Sequence, residues 1–199
     1  MTSHEWLYIA FSYLLGSIPF GYLICRFSGG KDIRTMGSGN IGATNVLRSK
    51  GKLAGLATLA LDILKGALPV VYGRIHFDLP WVVLLGGLAV LLGHVFPVFL
   101  KFRGGKGVGP LVGVFLVFYY PGLLVFLLVF FVTLRLSRYV SLGSLLGTTA
   151  LFFAILFTQV AETAMVALAM LLLVVFRHRA NIGRLLAGNE NKFSFRKNG

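Results

Sequence analysis

The stretch VGPLVGVFLVFYYPGLLVFLLVFFVTL, residues 108–134, decides how this chain is laid out. Its 27 residues make either one long membrane helix or two short ones broken at Tyr120-Pro121-Gly122, a turn signal. The other apolar segments, roughly 6–27, 53–73, 81–100, 140–158 and 160–176, approach the 20 or so residues that cross a hydrocarbon core of about 30 Å. Counting Lys and Arg separates the two readings. With the break there are seven segments, and residues 26–52, 101–107, 135–139 and 177–199 share one side with 6, 3, 2 and 6 of the 19 cations. Only Arg74 falls on the far side, and Lys65 lies inside the second span. Without the break the split is 9 against 9, which is no bias. The positive-inside rule therefore selects seven transmembrane helices, two of them short, with the N-terminus outside and the C-terminus cytoplasmic. The halves, about 13 residues each, would reach only about 20 Å and must thin the bilayer or bury their ends.

Composition agrees with an all-α integral membrane protein: 57% apolar, 13% charged, mean hydropathy +0.85. The 199 residues read as one polytopic domain, 1–199. Met1 to Glu5 carries no Lys or Arg and the first apolar stretch is long enough to span, so a cleaved signal is not expected. Lone Cys25 excludes an intrachain disulfide and reads as inert packing. A net charge of +13 in a membrane chain without long basic runs points to lipid headgroups and anionic substrates, not to nucleic acid.

Three glycine-rich basic segments then fall on the cytoplasmic side. The first, Met36 to Asn45, offers Gly37, Gly39 and Gly42 for a nest of backbone amides, with Ser38, Asn40, Thr44 and Asn45 as uncharged partners and Arg48 on a short helix beyond. Residues 37–42 also spell G-x-G-x-x-G, but they follow a membrane helix rather than a strand, so no dinucleotide turn is expected. The second, Gly93 to Gly107, ends a helix in Gly104-Gly105-Lys106-Gly107, where Lys106 can point at a phosphate. Pro97 should kink that helix, and His94 reads as a structural histidine. In the third, His178, Asn181 and Arg184 line one face of a helix extending past the last span. The tail Gly188 to Phe193 holds a carboxylate, amides and an amine. Asp62 and Lys65, at i, i+3 within a span, read as a paired structural couple. Ser141 and Ser144 either cap the sixth segment or add hydroxyls to an anion site.

Absences narrow the chemistry. Six carboxylates, none clustered near the cytoplasmic rim, argue against a Mg²⁺ phosphotransferase, and neither His94 nor His178 begins an H-x-x-x-x-D motif. No serine or cysteine has a covalent-nucleophile context. Direct transfer between two bound anions remains, with the protein supplying position and positive charge.

Gly16 to Gly21, Gly37 to Asn45, Asp62 to Gly66, Gly93 to Gly107 and His178 to Lys192 together make the chain resemble the bacterial acyl-phosphate-dependent glycerol-3-phosphate acyltransferase family (PlsY) over nearly its whole length. The resemblance implies a multi-pass enzyme of the bacterial plasma membrane with its active site at the cytoplasmic face. It would move a long-chain acyl group from acyl phosphate to the 1-hydroxyl of glycerol 3-phosphate, giving lysophosphatidate and phosphate. No cofactor, metal or acyl-CoA is implied; an acyl-phosphate-producing enzyme would be a partner. On this reading Gly37, Ser38, Gly39, Asn40, Asn45, Arg48, Gly105, Lys106, Ser141, His178 and Asn181 bind substrate, and His178, Lys106 and Ser38 are the catalytic candidates. The proton acceptor is His178 or the phosphate of glycerol 3-phosphate. The substrate's phosphate is preferred, because Arg177, Arg179 and Arg184 crowd the imidazole and favour its neutral, weakly basic form. The rival expectation is a small transporter of phosphate or organophosphate, in which Asp62 and Lys65 would be reached from both membrane faces.

Overall fold

The computed structural model describes residues 1–193; Arg196 and Lys197, two of the cations counted above, lie outside the described residues. Among the described residues the chain is all-helical. Its helices are α1 (Ser3–Gly16), α2 (Phe20–Phe27), α3 (Ala43–Lys50), α4 (Lys52–His76), α5 (Pro80–Val95), α6 (Val108–Phe118), α7 (Tyr120–Ser137), α8 (Val140–Thr158), α9 (Ala161–Arg177) and α10 (Arg179–Leu186). Short 3-10 turns cover Ile33–Thr35 and Val98–Leu100. By length and apolarity five stretches among them can cross a membrane: Ser3–Phe27, Lys52–His76, Pro80–Leu100, Tyr120–Ser137 and Val140–Thr158. The α9–α10 pair is a sixth if its 57° bend falls within one span. The chain forms two compact units, Met1–Phe118 and the part from Tyr119 onward.

The 108–134 stretch is broken where its turn signal requires, at Tyr119, and Pro121 occupies the first turn of α7. The halves are unequal, however. α6 has 11 residues and α7 has 18, so one half is short rather than two. Charge begins just after Leu134, but the helix continues through Arg135 to Ser137 and is capped at Arg138, whose φ of 63° is left-handed.

Packing within the first unit explains how α6 can be so short. Gly66 of α4 meets the backbone of Pro110, and Gly113 of α6 meets the Ile63 carbonyl. Arg74 donates to the Phe118 carbonyl and lays its guanidinium over the Phe118 ring. These contacts set α6 parallel to the second half of α4. Glycines at the seam let the two backbones touch, the usual way apolar helices associate without a hydrophobic driving force. α6 therefore begins level with Asp62, about 15 Å along α4 from Lys52 at the helical rise. Arg74, which sequence left as a stray outside cation, satisfies a carbonyl at the end of that helix.

Two other helix ends reach the same level. α1 begins with a capping box, in which Thr2 Oγ1 accepts from the Glu5 amide and Glu5 from the Thr2 amide, and it stops at Gly16 ahead of Pro19. The Ile18 carbonyl in that break receives Lys65 Nζ at 2.8 Å. α5 does not kink at Pro97 but ends two residues earlier, at Val95. Its last turn packs on α1 through Gly93, which touches the backbone of Tyr13 and Ser17. In the second unit, Gly143 and Gly147 of α8 pack on Phe130 and Phe126 of α7.

Candidate functional site

In the first unit the first two glycine segments are neighbours. Cys25 of α2, Ile33, Ile41, Val46 of α3 and Leu100 form one buried cluster, so the loop before α3 and the loop after α5 share a core. Cys25 is fully buried there, an apolar packing residue as expected.

The first loop is closed upon itself. Asn45, 3% exposed, accepts from the Ser38 amide at 2.9 Å through Oδ1 and donates through Nδ2 to the carbonyls of Asn40 at 2.8 Å and Met36 at 3.0 Å. The Gly39 amide is bonded to the Met36 carbonyl, and the Gly42 amide to Asn40 Oδ1. Gly37 takes φ of 53°, and any Cβ there would overlap Asn45 Oδ1, so both backbone geometry and room demand glycine. Three of the amides expected to lie open in a nest, those of Ser38, Gly39 and Gly42, are thus consumed internally. What it turns outward is the exposed Ser38, with exposed Arg48 on α3 behind it. Asn45 and Asn40 hold the loop's shape. Beside it, Asp32 accepts the amide and guanidinium of Arg34. The hydrogen bond from Arg34 keeps the Asp32 carboxyl below the usual range.

The second loop likewise spends its amides on the helix before it. Gly104 N–H donates to the Val95 carbonyl at 3.1 Å and Gly105 N–H to the His94 carbonyl at 3.0 Å, capping the end of α5. Lys101 and Phe102 hold left-handed φ of 52° and 62° at the turn. The loop delivers Lys106, half-buried, immediately ahead of α6. A cation beside a helix N-terminus favours a bound anion. At the same level lies a buried polar group: Lys65 Nζ is 2.8 Å from Asp62 Oδ1, and His94 Nδ1 is 3.5 Å from the same oxygen. The expected couple is there, with His94 as a third member that the sequence left separate.

In the second unit the organising residue is Glu190. Its Oε1 accepts from Asn181 Nδ2 at 2.6 Å and Ser141 Oγ at 2.9 Å, and its Oε2 accepts from Arg184 Nε at 2.7 Å. Burial works against ionisation of this carboxyl, but the three donors more than offset it and its pKa is lowered. The tail that carries Glu190 is pinned farther on, where the Phe193 amide donates to the Arg138 carbonyl at 2.7 Å. Ser141 and Asn181, both expected in the site, are therefore drawn together by one carboxylate, while Ser144 turns to the Val140 carbonyl. Sequence flagged the tail as unusual but gave Glu190 no role. Its signal was a lone acid in a basic terminus.

His178 forms the joint between α9 and α10, so the expected continuous extension of the last helix is bent there. It is 2% exposed, and its Nδ1 lies 2.8 Å from the Val174 carbonyl. A carbonyl only accepts, so Nδ1 carries the proton and, in the neutral ring, Nε2 holds the lone pair. Among the described residues no three His, Cys, Asp or Glu side chains are grouped to hold a metal ion.

Residues 6–188 match the family model described as glycerol-3-phosphate acyltransferase. A glycerol-3-phosphate acyltransferase of Mesorhizobium japonicum is 45% identical over 192 residues, covering 96% of this chain and 97% of that one. One from Geotalea daltonii is 47% identical over 197 residues, with 97% and 99% covered. Crystal structures of PlsY (YgiH), an integral membrane glycerol 3-phosphate acyltransferase, superpose on this chain in two forms. The glycerol 3-phosphate form gives a TM-score of 0.92 at 39% identity and the lysophosphatidic acid form 0.90 at 38%, each covering 96% of both chains.

Proposed function

The chain belongs to the glycerol-3-phosphate acyltransferase family, and from that premise we propose that it acylates the 1-hydroxyl of glycerol 3-phosphate with a long-chain acyl phosphate. The products are lysophosphatidate and inorganic phosphate. The observation that carries this reading is Lys106, held between two glycines at the start of α6 and level with Asp62. An ammonium and a helix N-terminus meet there among apolar helices, which suits a substrate that is an anion at one end and a lipid at the other.

In this reading Ser38, Arg48 and Lys106 supply charge and donors to the phosphates, as do Ser141, His178 and Asn181, with Gly37, Gly39, Asn40, Asn45 and Gly105 shaping the backbone around them. The substrate hydroxyl attacks the acyl carbonyl carbon. Its proton passes to an oxygen of the glycerol 3-phosphate phosphate, the C–O bond of the mixed anhydride breaks, and phosphate leaves with the electron pair. No acyl-enzyme forms, because the anhydride already carries a good leaving group. His178, with Nδ1 committed to Val174, presents Nε2 as a hydrogen-bonding group to the substrate. Positive groups stabilise the oxyanion and the departing phosphate.

The same reading makes the chain a seven-span protein of the bacterial plasma membrane, N-terminus outside and C-terminus cytoplasmic, with acyl transfer at the cytoplasmic face. The short α6 is a span whose lower half is replaced by the 101–107 loop. The test is the purified chain in detergent supplied with glycerol 3-phosphate and either acyl phosphate or acyl-CoA, without metal. Lysophosphatidate from acyl phosphate alone is expected; equal use of acyl-CoA would reject the donor assignment.

A further inference from the structure

The Asp62–Lys65–His94 group is a costly thing to build if it only fills space. All three side chains are buried, with 4% or less exposed. A buried ion pair is often no more stable than apolar residues of the same volume, and charges within a span are expensive. Its contacts point to a task. Lys65 reaches back to the Ile18 carbonyl at 2.8 Å, in the break between α1 and α2. Asp62 faces both Lys65 and His94 Nδ1.

The far edge of the His94 ring lies directly against Gly105, where a Cβ would overlap Nε2, and the His94 carbonyl takes the Gly105 amide. Gly105 is thus held on two sides by one residue. Four residues on, Gly109 rests on Asp62, a Cβ there lying 3.0 Å from the Asp62 Cβ. The backbone on either side of Lys106 is seated on His94 and on Asp62.

We propose that Asp62, Lys65 and His94 are positioning residues for glycerol 3-phosphate: a buried polar brace that fixes where Lys106 delivers its charge. The inference rests on the reading of Lys106 as a phosphate contact. A misplacement of about 1 Å in such a group costs up to ~10²-fold. The test uses the full chain in detergent and reads KM for each substrate, the Kd of glycerol 3-phosphate by calorimetry, and thermal unfolding. Asp62→Asn and His94→Asn are expected to raise KM and Kd for glycerol 3-phosphate by ~10- to 100-fold while leaving KM for acyl phosphate unchanged.

A merely structural group would lower the unfolding temperature and the active fraction but leave both KM values alone, and that result overturns the brace. Should Asp62→Asn not fold, His94 and Gly105 decide the question. Gly105→Ala forces the loop off the ring, and in the double variant with His94→Asn the shorter side chain makes room for the methyl, so the two losses should not multiply. Independent, multiplying losses overturn it as well. Lys106→Ala separates the two readings. If Lys106→Ala weakens glycerol 3-phosphate and the brace variants do not, only the brace falls; if Lys106→Ala has no effect, both fall.

Discussion

Asn45 offers the most direct test of the closed first loop. Its side chain makes four hydrogen bonds, at 2.8, 2.9 and 3.0 Å to residues 40, 38 and 36 and a longer one at 3.4 Å to the Ile33 carbonyl, from a position 3% exposed. Each such bond is worth about 1 kcal/mol net, so Asn45→Ala should cost the loop about 2–4 kcal/mol. Every 1.4 kcal/mol is about tenfold, so the closed conformation loses one to three orders of magnitude relative to open ones. The helices are untouched. Hydrogen exchange on the purified chain should show amides 36–42 losing protection while α4 and α5 keep theirs, with turnover falling in parallel.

Asn45→Asp sharpens the test. It keeps an acceptor for the Ser38 amide but sets a second oxygen against the carbonyls of Met36 and Asn40, so it should be no milder than alanine. Lost turnover with full protection at 36–42 would refute the reasoning, because Asn45 would then act on substrate rather than on the loop.

Three further outcomes are expected. Glu190→Gln should cost about 1–3 kcal/mol by facing an amide toward Arg184. It should also flatten the acid limb of the stability profile: the lowered Glu190 pKa stabilises the fold fully above the ordinary glutamate range and ceases to do so as pH falls through the folded-state value, which thermal melts between pH 3 and 7 would read. Tyr8→Phe removes a buried hydroxyl that bridges the Pro69 and Val83 carbonyls at 3.1 and 3.0 Å. It should lower the unfolding temperature by the equivalent of about 1–2 kcal/mol and leave both KM values unchanged. Lys106→Ala should abolish turnover with the melting profile retained; residual activity near that of the parent would remove Lys106 from the site.

Much of the architecture was legible because membrane spans are written in the composition of long segments. The charge bias across Tyr120-Pro121-Gly122 called for a break that hydropathy alone does not, and the break exists. Boundaries inside the polar segments were not legible, because they depend on partners far away in sequence. Pro97 disfavours helical backbone at Phe96 and so ends α5 at Val95 rather than kinking it, but nothing nearby says that the amides of Gly104 and Gly105 arrive to cap that end. Nothing near Glu190 says that it reaches Ser141, 49 residues earlier. Glycine and asparagine serve open cradles and self-closed loops equally well, and only the partners of the loop amides separate the two.

The amides of Ser38, Gly39, Gly42, Gly104 and Gly105 are all committed within the protein. Three helix ends near the depth of Asp62 then have a common reason. A span that ran straight through would carry its polar ends to the water, some 15 Å from that level at the helical rise. Stopping α1 and α5 early and starting α6 late leaves backbone carbonyls at that depth, and Lys65 and the loop amides of Gly104 and Gly105 satisfy them there.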